Sequence, residues 1–363
     1  MCDKHETQDL SRRNFIKTSS ALGAGLLLGG FAAPSFAASS EQLANGNIKS
    51  RGYAAFDNSG LLKPWEFERR PVGDNDILIE IKFASICHSD IHQMKGHWGA
   101  QQYPQVPGHE IAGIVTAVGK NVTKFKVGDR AGVGCMVDSC LSCDQCHHGE
   151  EQFCREGMVG TYSGQDRISG ELTQGGYSKH IVVREEFVLN VPKGLDLAKC
   201  APILCAGITT YSPLRTWNVG PGSRVGVIGL GGLGHMAIKI AAAMGAHVTA
   251  ISRSDKKKQQ VLSYGAKDLL VSSDEAAMQA HANQFDVIIN TIPVKHDFTP
   301  YIPLLDIDGT QVLVGQVGEL AESNSVPLLM GRRRVAGSLI GGIAQTQEIL
   351  DFCALHNILP EVE

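Results

Sequence analysis

A chain of 363 residues with 43% hydrophobic and 19% charged residues has the composition of a soluble globular protein and exceeds one ordinary core, so two domains are expected. Its formal net charge of -4 gives no electrostatic reason to expect nucleic acid or an anionic membrane as partner. No run reaches the roughly 18 apolar residues of a membrane span, and ten cysteines, five of them within Cys135–Cys154, point in a chain this large to metal rather than to a disulfide scaffold.

The first segment is an address. Ser11-Arg12-Arg13-Asn14-Phe15-Ile16-Lys17 is a twin-arginine pattern, the Gly-rich run Ala21–Ala33 is weakly hydrophobic, and Ser35-Phe36-Ala37 offers a small-residue cleavage site. Residues 1–37 are therefore read as an export signal handled by the twin-arginine machinery, giving a periplasmic or exported protein with no stable membrane anchor.

Residues 48–203 have a β-rich, barrel-like texture. Ile77–Phe83, His109–Ala117 and Arg130–Val133 read as strands, and Val127-Gly128-Asp129-Arg130 as a turn. Cys140, Cys143, Cys146 and Cys154 set four thiolates on one compact loop, enough to close a tetrahedron around a structural zinc. A four-cysteine iron–sulfur cluster is the alternative, with no other redox feature beside it. Three further positions are dispersed: Cys87 in Ile86-Cys87-His88-Ser89-Asp90-Ile91-His92, His109 before Glu110, and Cys205 where the texture changes. Taken singly, each could be a core or surface residue, and Cys205 reads first as an ordinary buried free cysteine; taken together, two thiolates and an imidazole leave a fourth zinc position open.

From about Cys200 strands alternate with helices: Arg224–Ile228, then Gly232–Met244, His247–Ile251, and later Phe285–Asn290 and Gln311–Val314. That alternation predicts a parallel, doubly wound sheet over residues 204–342. Gly229, Gly231 and Gly234, with Gly232 beside them, form G-x-G-x-x-G between a strand and a helix, the pattern that lets backbone N–H groups approach a pyrophosphate. At the tip of the second strand, where NAD sites carry an acid, stand Ser252, Arg253, Ser254 and then Asp255-Lys256-Lys257-Lys258. Arg253, with Ser252 and Lys257, suits a 2′-phosphate, so NADP(H) is preferred. A solvated basic turn is the alternative reading, and Asp255 stands one step too late for the expected acid.

These motifs, with Tyr103 to Glu110, Gly128-Asp129-Arg130, Pro202 to Leu214 and Gly337 to Gly342, fall in an order that resembles the zinc-containing medium-chain alcohol dehydrogenase family, most closely its cinnamyl alcohol dehydrogenase-like branch. The resemblance implies a GroES-like catalytic domain plus a Rossmann domain. It implies that Cys87, His109 and Cys205 bind catalytic zinc, the Cys2His set for which that family is the standing example, with Glu110 behind the metal as an exchangeable ligand. Ser89 would begin a proton relay that passes through the cofactor ribose to His92, and Asp90 would position the neighbouring loop. Trp98, Leu339 and Ile340 would line a pocket for aromatic or medium aliphatic substrates, and Thr209 would face the nicotinamide. The implied activity is hydride transfer between NADP(H) and a primary alcohol or aldehyde, with one catalytic and one structural zinc, in a homodimer.

The competing expectation is an exported, zinc-stabilised binding or scaffold relative without turnover; a zinc-free quinone reductase would need neither metal set. Gln345–Leu355 reads as a helix, and the chain stops at Glu363, earlier than the resemblance implies. A catalytic domain completed by residues 343–363 is thus expected to be truncated.

Overall fold

The structure, a computed structural model, describes residues 46–315, 318–320, 322 and 324–362. The export-signal reading of residues 1–37 lies outside them. No helix among the described residues is long and apolar enough to cross a membrane.

The chain opens with a hairpin of β1 (Ile48–Ala55) and β2 (Leu62–Arg69). There follow β3 (Asp76–Ala84), helix α1 (His88–Met94), β4 (Ile111–Val118), β5 (Arg130–Val133), the short pair β6 (Met136–Asp138) and β7 (Val159–Gly160), β8 (His180–Arg184) and β9 (Leu189–Asn190). Five of these form an antiparallel sheet in the order β8-β3-β4-β5-β9. β3 is buried on both faces, because side chains alternate across a strand. Ile77 and Ile79 pack with Ile111, Val115, Ala131 and Val133, while Leu78 packs the other way with Ile48 and Val182.

Helix α2 (Ala206–Thr216) leads into β10 (Arg224–Ile228), α3 (Gly232–Ala243), β11 (His247–Ser252), β12 (Asp268–Val271), β13 (Phe285–Asn290), β14 (Leu305–Leu313), α4 (Val326–Gly331), β15 (Arg334–Gly337) and α5 (Ile343–His356). The second sheet is wholly parallel, in the order β12-β11-β10-β13-β14-β15. Its strand order reverses between β10 and β13, and such a reversal opens a ligand crevice at the carboxyl ends of the strands. Val225, Val227, Val248 and Ala250 are fully buried, as expected for strands covered on both faces.

Helix α5 ties the two sheets together. Its Gln347 exchanges hydrogen bonds of 2.8 and 2.9 Å with the backbone of Asn190 in β9. Ile349, Leu350 and Cys353 sit in one apolar cluster with Ala112 and Leu189 of the first sheet and Val225 and Val248 of the second. Beyond α5, Lys239 of α3 binds the Leu359 carbonyl at 2.8 Å and the Glu361 carboxylate at 2.7 Å.

Two strand expectations need correction. The strand expected from His109 begins at Ile111. Gly108, at φ +102, bends the chain just before it, and the side chains of His109 and Glu110 turn instead into a buried polar cluster. The strand expected at Gln311–Val314 is Leu305–Leu313, extended backwards across a register irregularity where Leu305 pairs with Phe285.

Candidate active site and metal centres

Cys87 caps α1 just after β3, and Asp90 locks that start. Asp90 is fully buried, and its carboxylate accepts hydrogen bonds from the Cys87 amide (2.9 Å), the Gly108 amide (3.2 Å), His109 Nδ1 (2.8 Å) and the Tyr177 hydroxyl (2.8 Å). Burial alone would raise its pKa; His109 and these donors hold it below the usual carboxylate range. Gly108 is required here: a Cβ would stand 2.7 Å from the Tyr177 ring.

The opposite wall is Cys205, which caps α2 and accepts from the Thr209 amide at 2.9 Å. The ligand atoms of Cys87, His109, Glu110 and Cys205 all lie within 4.8 Å of one another. Sulfur to sulfur, Cys87 and Cys205 are 4.0 Å apart, and His109 Nε2 is 3.2 Å from the Cys205 sulfur. A tetrahedral zinc with bonds of about 2.3 Å sets two sulfurs about 3.8 Å apart, so the donor set fits that ion in chemistry and spacing. Cys205 and His109 lower the Cys87 thiol well below its usual value against the effect of burial. Burial and the negative charge of a Cys87 thiolate push the Glu110 carboxyl up to about 8, although Ser85 donates a hydrogen bond to it.

The four-cysteine loop is bracketed by β6 and β7, which pair across its base. Its four sulfurs also lie within 4.8 Å of one another, with Cys143–Cys146 at 3.5 Å and Cys140–Cys146 at 3.9 Å, again on either side of the tetrahedral spacing. Backbone amides point at the sulfurs: Cys140 N–H at Cys154, Cys143 N–H at Cys140 and Arg155 N–H at Cys143. Such donors favour thiolates, and amide donation led by Ser142 lowers the Cys140 thiol to about 6.

The crevice at the sheet reversal carries the glycines. Gly229 sits at φ +86, and a Cβ on Gly234 would stand 1.9 Å from the Gly229 carbonyl oxygen, so strand and helix touch there. A Cβ on Gly231 or Gly232 would meet nothing within 4 Å; this open cradle at the amino end of α3 is the space a pyrophosphate needs. Ser252 ends β11, Arg253 is exposed beyond it, and the Lys257 ammonium reaches back to the Leu230 carbonyl at 3.0 Å.

Ser89 Oγ lies 3.6 Å from the Cys87 sulfur, beside the candidate metal ligands. Three residues on, His92 stacks on Trp98 with ring centroids 5.4 Å apart. Ile340, in left-handed backbone at φ +35, lines a small cavity with Cys135 and Leu204, while Leu339 beside it is exposed. Sequence reasoning missed three contacts: Tyr177 on Asp90, His97 on His92, and Cys135, whose thiol is lowered first by hydrogen bonding with Cys205. Only proximity in sequence could have flagged His97; the others are long-range.

Known proteins match both parts of the chain. The sequence pattern of the alcohol dehydrogenase GroES-like domain matches residues 73–193, that of the zinc-binding dehydrogenase domain residues 232–354, and that of the twin-arginine translocation signal residues 9–29. NADP-dependent alcohol dehydrogenase C 1 of Mycolicibacterium smegmatis is 54% identical over 312 residues, 86% of this chain and 89% of that protein. The probable formaldehyde dehydrogenase AdhA of Bacillus subtilis is 53% identical over 82% of this chain and 84% of its own length. Among solved structures, a cinnamyl alcohol dehydrogenase of Sorghum bicolor superposes with a TM-score of 0.84 at 44% identity, covering 87% of this chain and 90% of that one. CAD from Helicobacter pylori, complexed with NADP(H), gives 0.81 at 47% identity, covering 87% and 91%.

Proposed function

The chain belongs to the zinc-binding, GroES-like alcohol dehydrogenase family, and we propose that Cys87, His109 and Cys205 hold its catalytic zinc while Ser89 and His92 move the substrate's hydroxyl proton. It is a zinc-dependent oxidoreductase that transfers hydride between NADP(H) and an alcohol or aldehyde. The observation that carries the residue assignment is the meeting of two sulfurs and an imidazole within 4.8 Å, with Ser89 3.6 Å from one of those sulfurs.

Bound zinc supplies a Lewis acid that lowers the pKa of an alcohol hydroxyl, and the bound dinucleotide supplies or accepts the hydride. The chain's own residues do the rest. Asp90 fixes His109 with Nε2 bare for the metal. Ser89 Oγ takes the hydroxyl proton and begins the relay whose outer member is His92. Cys140, Cys143, Cys146 and Cys154 hold the structural zinc. Gly229, Gly231, Gly232 and Gly234 admit the pyrophosphate, Thr209 faces the nicotinamide, and Arg253, with Ser252 and Lys257, takes the 2′-phosphate. Trp98, Leu339 and Ile340 shape a pocket for aromatic or medium aliphatic aldehydes.

Two further readings go with this. Residues 48–203 with 343–363 make the catalytic domain and 204–342 the nucleotide domain, and the protein acts as a homodimer through the free edge of β15 and the α4 surface, where Val326, Leu329 and Met330 are 54%, 74% and 81% exposed. Its twin-arginine signal, matched at residues 9–29, makes it a periplasmic or exported protein.

The test is NADPH oxidation with cinnamaldehyde or benzaldehyde, beside a Cys87→Ala control and with metal content measured on both. Turnover by the parent alone is the expected result. Full zinc occupancy with no turnover across a broad aldehyde panel overturns the assignment.

A further inference from the structure

We propose that Glu151 is a positioning residue for the substrate pocket: from the four-cysteine loop it grips the head of α5 and, with Gly149, holds Ile340 in the backbone conformation that shapes the pocket. The inference rests on the reading of Ile340 as a pocket residue. It makes substrate fit depend on a loop that carries none of the catalytic ligands.

The contact starts between two cysteines. Gly149 and Glu151 lie between Cys146 and Cys154, and each is tied to one of them: the Gly149 amide donates to the Cys146 carbonyl at 3.1 Å, and the Cys154 amide to the Glu151 carbonyl at 3.0 Å. The Glu151 carboxylate in turn accepts from the Ile343 amide at 3.0 Å, across 192 residues of sequence. That amide is one of the bare donors a helix leaves at its amino end. α5 has Gly342 at its cap position, with no side chain to meet them, and no acid in its first turn. Glu151 supplies both the acceptor and the negative charge that this end of a helix favours. Gly342 lets the two segments close: a Cβ there would run into the Gly149 carbonyl oxygen and stand 2.6 Å from Glu151 Oε2.

Two residues before Gly342, Ile340 has φ +35, a region that a β-branched residue enters only where its surroundings force it. The constraint comes from both sides. Before Ile340, the Ser338 amide is fixed to the Leu313 carbonyl at 3.1 Å. After it, Gly341 is pressed on Ile208, whose Cδ1 would lie 2.6 Å from a Cβ, and Gly342 is clamped by the loop. The side chains of Ile340 and Ile343 pack, as does Leu141 of the same loop, on the apolar cluster of the first sheet. Ile340 thereby shares a cavity wall with Cys135 and with Leu204, the neighbour of Cys205. Release of Glu151 frees the head of α5, and Ile340 relaxes toward an ordinary backbone conformation, moving that wall. A filled four-cysteine site keeps Gly149 and Glu151 in register with α5; an emptied one does not.

Three variants of the zinc-loaded full chain test this: Glu151→Ala, which removes the acceptor, Glu151→Gln, whose carboxamide oxygen can still accept from Ile343, and Ile340→Gly, which enters left-handed backbone freely. Reduction of cinnamaldehyde is compared with that of acetaldehyde. Glu151→Ala is expected to lower kcat/KM for cinnamaldehyde relative to acetaldehyde about tenfold, the worth of one pocket contact, mainly through KM, while zinc content holds and the Kd for NADPH stays within about twofold. Glu151→Gln should restore the parent ratio. Hydrogen exchange over residues 340–346 is the readout apart from turnover. It should quicken about tenfold in Glu151→Ala, as for loss of one hydrogen bond, and likewise in Cys87→Ala as the loop's zinc is chelated. Parent-like selectivity and exchange in Glu151→Ala, alongside an altered ratio in Ile340→Gly, overturns the positioning role and leaves Ile340 in the pocket. A parent-like ratio in Ile340→Gly removes Ile340 from the pocket and the proposal with it. Should Glu151→Ala fail to fold, exchange in Cys87→Ala decides, and no change on chelation overturns the proposal.

Discussion

His109 donates from Nδ1 to Asp90 Oδ1 at 2.8 Å, and its Nε2 stands 3.2 Å from the sulfur of Cys205. The buried carboxylate thereby decides which imidazole nitrogen is left bare, and so where a metal can bind.

Asp90→Asn is expected to weaken the catalytic zinc by about 10- to 100-fold, the usual cost of losing such an outer partner, and to leave the four-cysteine site filled. Metal analysis after graded chelation reads both sites. Loss of zinc from both in parallel would mean that Asp90 acts on the fold at large.

The glycines of the crevice separate packing from binding. Gly234→Ala places a methyl 1.9 Å from the Gly229 carbonyl and should cost upwards of about 3 kcal/mol in stability. Gly231→Ala meets nothing within 4 Å, so the cofactor-free melting temperature should hold while dinucleotide affinity falls. Calorimetry without cofactor, followed by NADPH titration, compares the two.

Arg253→Ala should raise the Kd for NADPH by about tenfold to a hundredfold, matching the loss of a charge-assisted bond of about 1.5–3 kcal/mol. NADH binding should be nearly unchanged. Equal weakening of both cofactors would show that Arg253 does not read the 2′-phosphate.

Glu110 gives metal-free protein a pH dependence. Its carboxyl is pushed up to about 8 in the fold by burial and Cys87, against about 4.3 in an unfolded chain. The stability it contributes is therefore complete below about pH 4.3 and lost as pH rises to about 8. Urea unfolding of metal-free parent and Glu110→Gln is expected to show the parent losing ground to the variant across that window. A constant difference counts against a protonated Glu110.

Much of this was legible in the sequence because it is periodic or closely spaced. β5, β10 and β13 occupy the expected residues, Arg130–Val133, Arg224–Ile228 and Phe285–Asn290, each a short apolar run ended by a turn. The four-cysteine loop is local, so spacing alone located it. The amino end of β14 was not legible: Asp306-Ile307-Asp308-Gly309 lacks strand character and falls in the register irregularity between the Leu305–Phe285 and Thr310–Val287 pairs. Nor was the hub role of Asp90, since one of its donors, Tyr177, lies 87 residues away. His97 escaped because a histidine five positions beyond His92 is off the helix face; the turn after α1, and not the helix, brings it back.

Cys205 and Thr209 are one helical turn apart at the start of α2, joined by the bond from the Thr209 amide to the Cys205 carbonyl. On the proposed assignment, one residue stands on the metal side of the centre and the other on the dinucleotide side. On that assignment, any preference the two ligands share for one geometry of this turn couples their sites. Thermodynamic reciprocity then sets the terms: whatever factor zinc adds to the affinity for the dinucleotide, the dinucleotide adds to the retention of zinc. At equilibrium, positive coupling of this kind would let a chain carrying both hold each one more tightly than a chain carrying one.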